Sequence, residues 1–310
     1  MEQQKLTESH NTREVYKQNK KQIFSLLLIP FALFVVTLMI NLPVASGLQS
    51  LIEKQVLRNP RCPLAYKEMD LSFFLPGVSF EDLTIPGRCF QNPSKSIQFN
   101  DASFKMSFPS FWPIGIKTKL EAKYEDTLIN IFPRFTISGH SIQISNTTLS
   151  SSFLNQLTPS PNLVTGDFDV KGNIELKSNQ IDSAHLLINS NNFFIPPQTI
   201  SGIMIPSLPL KKFELAANVV KNKLQIKALR IGNNLSNIQG EFKGNIQLSK
   251  ANIAFSRIDL QGKIKISKEI QEALPIIRLL LNGKKKKNGF YFLTLSGTLG
   301  APQPKIVDPQ

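Results

Sequence analysis

Between Lys21 and Glu53 the chain carries no charged residue, and inside that gap Ile23–Ala45 reads IFSLLLIPFALFVVTLMINLPVA. At about 1.5 Å per residue, a helix of this length crosses a hydrocarbon core roughly 30 Å thick. Such a stretch is a single membrane span over residues 22–45, and Pro30 within it is tolerated in a lipid setting. Arg13, Lys17, Lys20 and Lys21 precede the span and the residues just after it are neutral. The positive-inside rule therefore leaves residues 1–21 as a cytoplasmic tail and puts the bulk of the chain on the far side of the membrane. A cleaved signal peptide is the competing reading, because Pro43-Val44-Ala45-Ser46 offers a small residue at a plausible cut site. The leader and the apolar run both exceed the usual signal-peptide proportions, so an anchor is preferred.

Downstream, Leu48, Leu51, Ile52 and Val56 keep helical spacing as far as about Leu57, where Pro60 and Pro63 end it. The period then drops to two. Met69 and Leu71 alternate with polar neighbours, and Pro76-Gly77 marks a turn before Val78 and Phe80, which is a hairpin signature. Ile116–Tyr124 sets Ile116 and Leu120 against a face of Lys117, Lys119, Glu121 and Lys123. The same alternation recurs around Phe104, Ile174, Leu215, Leu224, Ile246, Leu260, Ile264 and Leu295. One apolar and one wetted face per strand describes antiparallel sheet. The class is mainly β: a single transmembrane helix followed by a long antiparallel sheet with one or two short helices. Ser150–Leu157 is one of these helices. Lys268–Leu281 is the other, with Ser267 as its N-cap, an Ile270, Leu274, Ile277, Leu281 stripe, and Pro275 to kink or restart it. Leu157–Pro161 and Asn192–Pro209 read as loops. Residue 160 therefore divides a first β region, 46–160, from a second, 161–310, with one continuous sheet as the alternative.

A faint internal echo links Gly166–Leu176 to Gly240–Leu248, with a further glycine at Gly262. Glycine inside a strand marks a bend or a close backbone approach, and its recurrence predicts a sheet curved in one direction into a trough. Ile116, Leu120, Ile174, Leu215, Ile246, Leu260, Ile264 and Leu295 are the candidate lining.

Composition narrows the chemistry. With 41% hydrophobic and 19% charged residues the chain is neither a disordered polyelectrolyte nor a multi-span membrane protein. The formal net charge of +14 is mostly dispersed lysine, which serves solubility. It is concentrated only at Lys284–Lys287, a candidate contact for lipid headgroups or an acidic partner. Nucleic acid is a poor fit there, since no stacking aromatics interleave the run. Two cysteines exclude a disulfide-dense scaffold, and on the exported side Cys62 and Cys89 are expected to bridge. His10, His140 and His185 have no ligand-spaced partners, and no nucleophile elbow or phosphate loop occurs. Asp167 and Asp169 share a strand face, where a solvated reading outweighs a calcium site. No catalytic residue, metal, cofactor or small-molecule substrate is expected.

The C-terminal stretch Gly289-Phe-Tyr-Phe-Leu-Thr-Leu-Ser-Gly297-Thr-Leu-Gly300-Ala-Pro302-Gln-Pro304 resembles the closing strand of type II secretion system protein N, of the Leptospira and delta-proteobacterial type. The likeness extends to the N-terminal anchor, the Met69–Ile85 hairpin and the glycine-bearing strands. It implies a non-enzymatic inner-membrane protein, single-pass with its bulk periplasmic, whose partners are other secretion components and inner-membrane lipids. The architecture is also similar to AsmA-like proteins, which implies lipid binding or transfer as the alternative. The topology is testable with reporter fusions. Alkaline phosphatase joined after residue 60 is expected to be active and β-galactosidase at the same point inactive; the reverse pattern overturns the reading.

Overall fold

In a computed structural model of the chain, the described residues are 62–308 apart from 73–75, 91–94, 108–109, 112–113, 138, 158–163, 178–179, 201–202 and 250–251; before Cys62 only positions 30, 50 and 54 are described. The expected cytoplasmic tail lies outside the described residues, as do the expected span over 22–45 and its continuation toward Leu57 apart from those three positions. Among the described residues no helix is long and apolar enough to cross a membrane.

The two-residue period is realised as strand almost throughout. The strands are β1 (Glu68–Ser72), β2 (Gly77–Pro86), β3 (Ser96–Met106), β4 (Ser110–Phe111), β5 (Ile114–Tyr124), β6 (Thr127–Thr136), β7 (Gly139–Ser150), β8 (Asp167–Lys177), β9 (Gln180–Ile195), β10 (Gln198–Ile200), β11 (Ile203–Ile205), β12 (Leu208–Val220), β13 (Lys223–Ile231), β14 (Ile238–Gln247), β15 (Arg257–Ile266), β16 (Tyr291–Thr298) and β17 (Ala301–Val307). Fifteen of them form one antiparallel sheet in the order β1-β2-β3-β5-β6-β7-β8-β9-β12-β13-β14-β15-β16-β17, with β4 paired to β5. It is a meander, interrupted only where β10 and β11 pair with each other as a separate hairpin between β9 and β12. β7 pairs directly with β8, so the strands on either side of the expected boundary, and with them the two β regions, belong to one sheet.

Asn192–Pro209 differs from its reading as a loop. Phe193, Phe194 and Ile195 complete β9, Leu208 opens β12, and β10–β11 lie between them. Proline and serine suggest a loop, but buried Phe193 and Leu208 gain more from packing on the sheet than local propensity costs.

Three short α-helices leave the strands among the described residues: α1 (Ser151–Leu157), α2 (Lys268–Ala273) and α3 (Pro275–Leu281). Ser150 caps α1, its hydroxyl accepting from the Phe153 N–H at 3.4 Å. Fully buried Thr127 holds that cap in place, its hydroxyl accepting from the Ser150 N–H at 2.9 Å and lying 2.7 Å from the Ser150 hydroxyl. Ser267 caps α2 by accepting from the Ile270 N–H. Pro275 has no N–H to continue that helix, so the chain breaks at Leu274 and restarts with the proline in the first turn of α3.

The helices cover one end of the apolar sheet face. Phe153 of α1 packs with Leu83, Ile97, Phe99 and Tyr124, its ring 5.6 Å from that of Tyr124. Ile270, Leu274 and Ile277 of α2 and α3 pack on Phe168, Phe193, Leu208 and Leu210. A third cluster, Ile226, Ile246, Ile258 and Leu260, comes from β13–β15 alone.

Glycine is required at Gly244. Its φ is +144°, and a Cβ there would stand 2.2 Å from the Asp259 carbonyl oxygen of the neighbouring strand. Gly244→Ala is expected to lower unfolding stability by about 2–4 kcal/mol, read by urea denaturation, because strain at positive φ adds to the clash. An unchanged midpoint would mean that the strands separate there freely.

Candidate functional site

The register assembles the strand faces into one surface. Starting at Leu71, each residue pairs with the next across the whole sheet: Val78, Phe104, Leu120, Ile131, Ile144, Gly172, Leu186, Ala217, Ile226, Gly244, Leu260, Leu295 and Pro304. Every one of these positions is apolar or glycine. At about 4.8 Å between neighbouring strands, the row crosses roughly 60 Å of sheet. From Leu71 to Leu186 its members are half-buried, whereas Ala217, Ile226 and Leu260 are buried.

Keeping these residues on one face requires corrections along the chain, since a one-residue slip sends every later side chain to the other side. In β2 the apolar positions switch from Val78 and Phe80 to Leu83 and Ile85, and between them Asp82 takes φ +53°. The same switch occurs at Asn146 in β7, φ +50°, and at Lys211 in β12, φ +65°. In β13 the register shifts between Ile226 and Leu229. The pairing register also shifts at Asn146 and at Lys211, the mark of a bulge, whereas at Asp82 the β2–β3 register runs on unshifted from Glu81–Asp101 to Leu83–Phe99 and both strands change their apolar positions together.

All eight candidate lining residues stand on this face. Leu120, Leu260 and Leu295 belong to the row itself. Leu215 pairs with Leu229, and Ile246 with Ile258, in the rows on either side. Ile174 pairs with Ile142 and Ala184, Ile264 with Gly240 and Tyr291, and Ile116 with Phe135. Leu215, Ile246, Leu260 and Leu295 pack together in the third cluster, while Ile116 is 41% exposed at the far end of its strand. The row was not legible from spacing alone, because alternation assigns a face to each strand but no register between strands.

The opposite face is ionic. Glu214, Arg230, Glu241 and Lys263 are successive cross-strand partners from β12 to β15. Glu214 receives Lys212 at 2.7 Å and Arg230 at 3.2 Å, and Lys263 reaches Glu241 at 2.9 Å. Lys119 meets Glu121 at 2.7 Å in β5. An open depression of about 840 Å³ on the polar side of β5–β9 is lined by Lys117, Arg134, Gln143, Lys171, Glu175 and His185, among others. Asp167 and Asp169 are engaged singly, Asp169 accepting from the Thr148 hydroxyl at 2.9 Å and Asp167 from the Asn192 amide at 2.8 Å. Among the described residues no group of three or more His, Cys, Asp or Glu side chains is arranged to hold a metal ion.

Cys62 and Cys89 are bonded, with their Cα atoms 5.0 Å apart. The bridge ties the segment entering the sheet to the one-turn helix Gly87–Phe90 after β2, beside the Ala65–Thr84 backbone pair. Closing a loop of this length is worth about 3–4 kcal/mol in the chain-entropy model. Lys284–Lys287 is an exposed turn between α3 and β16.

No protein-family model, no curated protein and no solved structure matches the chain.

The hydrogen bond from Lys212 holds the Glu214 carboxyl below its ordinary value of 4.5, with Arg230 adding to the effect and partial burial opposing it. A depressed folded-state value means that the stabilisation is present above about pH 4.5 and is lost as the pH falls through the folded value. Glu214→Gln is expected to lower stability above about pH 4.5 and to leave it nearly unchanged at lower pH, so that the loss on acidification flattens, measured by denaturation across pH. An identical acid profile would remove Glu214 from the linkage.

Proposed function

We propose that this chain is a non-enzymatic, membrane-anchored envelope protein whose working surface is the apolar sheet face, binding the acyl chains of phospholipids in the manner of AsmA-like lipid-binding or lipid-transfer proteins. The observation that carries this is the unbroken row of apolar and glycine residues from Leu71 to Pro304, one from each strand of the path. A sheet that only stabilised itself would bury that face under a second layer. Here the helices pack at one end of it, and the row from Leu71 to Leu186 stays half-exposed. Mutual burial of Ile226, Ile246, Ile258 and Leu260 by same-face neighbours supports a sheet bent toward that face, a trough rather than a plane. Gly172, Gly244 and Gly262 support the bend, as places where neighbouring backbones come too close for a side chain.

A second reading is favoured by the C-terminal hairpin. Gly297 and Thr298 end β16 and Leu299-Gly300 turns the chain into β17, in the part of the chain that resembles type II secretion system protein N. In that reading the anchored sheet is an accessory scaffold of the secretion apparatus. Its docking surface would be a face and not the β17 edge, because Pro302 and Pro304 remove two hydrogen-bond donors from that strand.

Delipidated full-length protein is expected to take up a fluorescent acyl probe and to lose about tenfold in affinity on Leu120→Lys or Leu186→Lys, with an unchanged circular-dichroism spectrum. A sample that neither copurifies with phospholipid nor takes up the probe sinks the lipid reading. The scaffold reading falls if deletion leaves export of the machine's substrates unaltered.

A further inference from the structure

α3 has two apolar faces. Leu281 is buried and Ile277 packs with Ile270 and Leu274 against the sheet. The other face points outward: Ile276 is 49%, Leu279 75% and Leu280 57% exposed. Core packing explains only the first set. A helix with aliphatics all round belongs in a buried setting, and the outer face of this one has none.

The segment that follows is basic and conformationally set. Gly283 ends the helix at φ +69°, and the Lys284 N–H donates to the Leu281 carbonyl at 3.2 Å. At the other end, Asn288 and Gly289, both at positive φ, make a tight turn closed by reciprocal backbone bonds between Lys287 and Phe290. The Lys286 ammonium lies 4.7 Å from the centre of the Tyr291 ring. All four lysines are exposed. From Pro275 to Phe290 the chain holds Arg278 and Lys284–Lys287 and no acidic residue. Complementing the helix dipole explains one cation at a helix end, not four in a row beside three exposed aliphatics.

Exposed aliphatics next to a cluster of cations are complementary to a surface that is apolar within and anionic at its boundary. We propose that Ile276, Leu279 and Leu280, with Lys284–Lys287, form a docking surface for an anionic phospholipid bilayer, the aliphatics entering the interface and the lysines meeting headgroup phosphates. An acidic protein would satisfy the lysines and leave the aliphatics in water. The contact is separate from the expected N-terminal span and does not depend on the apolar row holding lipid: it places a second membrane contact next to β15 and β16, one strand in from the β17 edge.

The test uses full-length protein in nanodiscs of neutral phosphatidylcholine, floated with vesicles of phosphatidylcholine alone or with about one-third phosphatidylglycerol. Wild type is expected to float with the anionic vesicles and to be released by salt. Lys284→Gln, Lys285→Gln, Lys286→Gln and Lys287→Gln together are expected to weaken flotation roughly a thousandfold, and the corresponding arginine variant to retain it. Leu279→Ser with Leu280→Ser is expected to leave binding weak even at low salt. The circular-dichroism spectrum of each variant must match wild type. The proposal is overturned if the glutamine variant floats like wild type, if the serine variant does, or if a polyglutamate peptide binds the run while anionic vesicles do not. Acyl-probe uptake is a separate readout, so failure here and failure of the lipid-binding reading are distinguishable.

Discussion

The sheet depends on cross-strand register. A single antiparallel layer has one face to dry, and that face is continuous only if each strand meets its neighbour with the apolar set aligned. Alternation alone would not maintain this over strands of ten or more residues, because small changes in twist accumulate along them. Asp82, Asn146 and Lys211 stand where the apolar positions change parity, the last two at register shifts, and each sits at positive φ, where a non-glycine residue is uncommon. The local strain is modest beside the alternative, in which half of a strand turns its aliphatics to water.

Burial then follows from two arrangements. Where helices are available, aromatics do most of the packing: Phe153 of α1 meets Phe99 and Tyr124, and α2 and α3 rest near the Phe168, Phe193, Phe213 group, whose rings pack edge-on or tilted with centroids 5.3 to 6.0 Å apart. Where no helix reaches, aliphatics of adjacent strands cover one another. The ionic ladder from Glu214 to Lys263 keeps the other face wet, and its pairs are exposed enough that it contributes more to solubility and register than to stability.

Much of this was legible in the chain itself. Pro76-Gly77 announced the first hairpin, Ser267 and Pro275 announced a capped helix that restarts, and two-residue alternation marked the strands. The illegible parts have physical causes. Asn192–Pro209 looked like a loop because proline and serine carry local preferences, while the packing that makes Phe193 and Leu208 strand residues comes from distant segments. The apolar row stayed hidden because register is a relation between strands, and the bulges that set it leave only weak marks: an asparagine and a lysine with nothing unusual beside them. The outer face of α3 was hidden by the inner one, since the Ile270, Leu274, Ile277, Leu281 stripe already accounted for a helix of that length.

The meander has a consequence for how such a chain is made and how it diversifies. Because nearly every strand hydrogen-bonds to the one before it, the sheet can close in the order of synthesis, without waiting for the C-terminus. A newly arrived hairpin needs only the last finished edge as its template. For the same reason, inserting or deleting one hairpin lengthens or shortens the apolar row by about 10 Å and leaves the remaining pairings intact. Reach is therefore a quantity that descendants of this architecture can change in whole units, with the chemistry of the surface carried over unaltered.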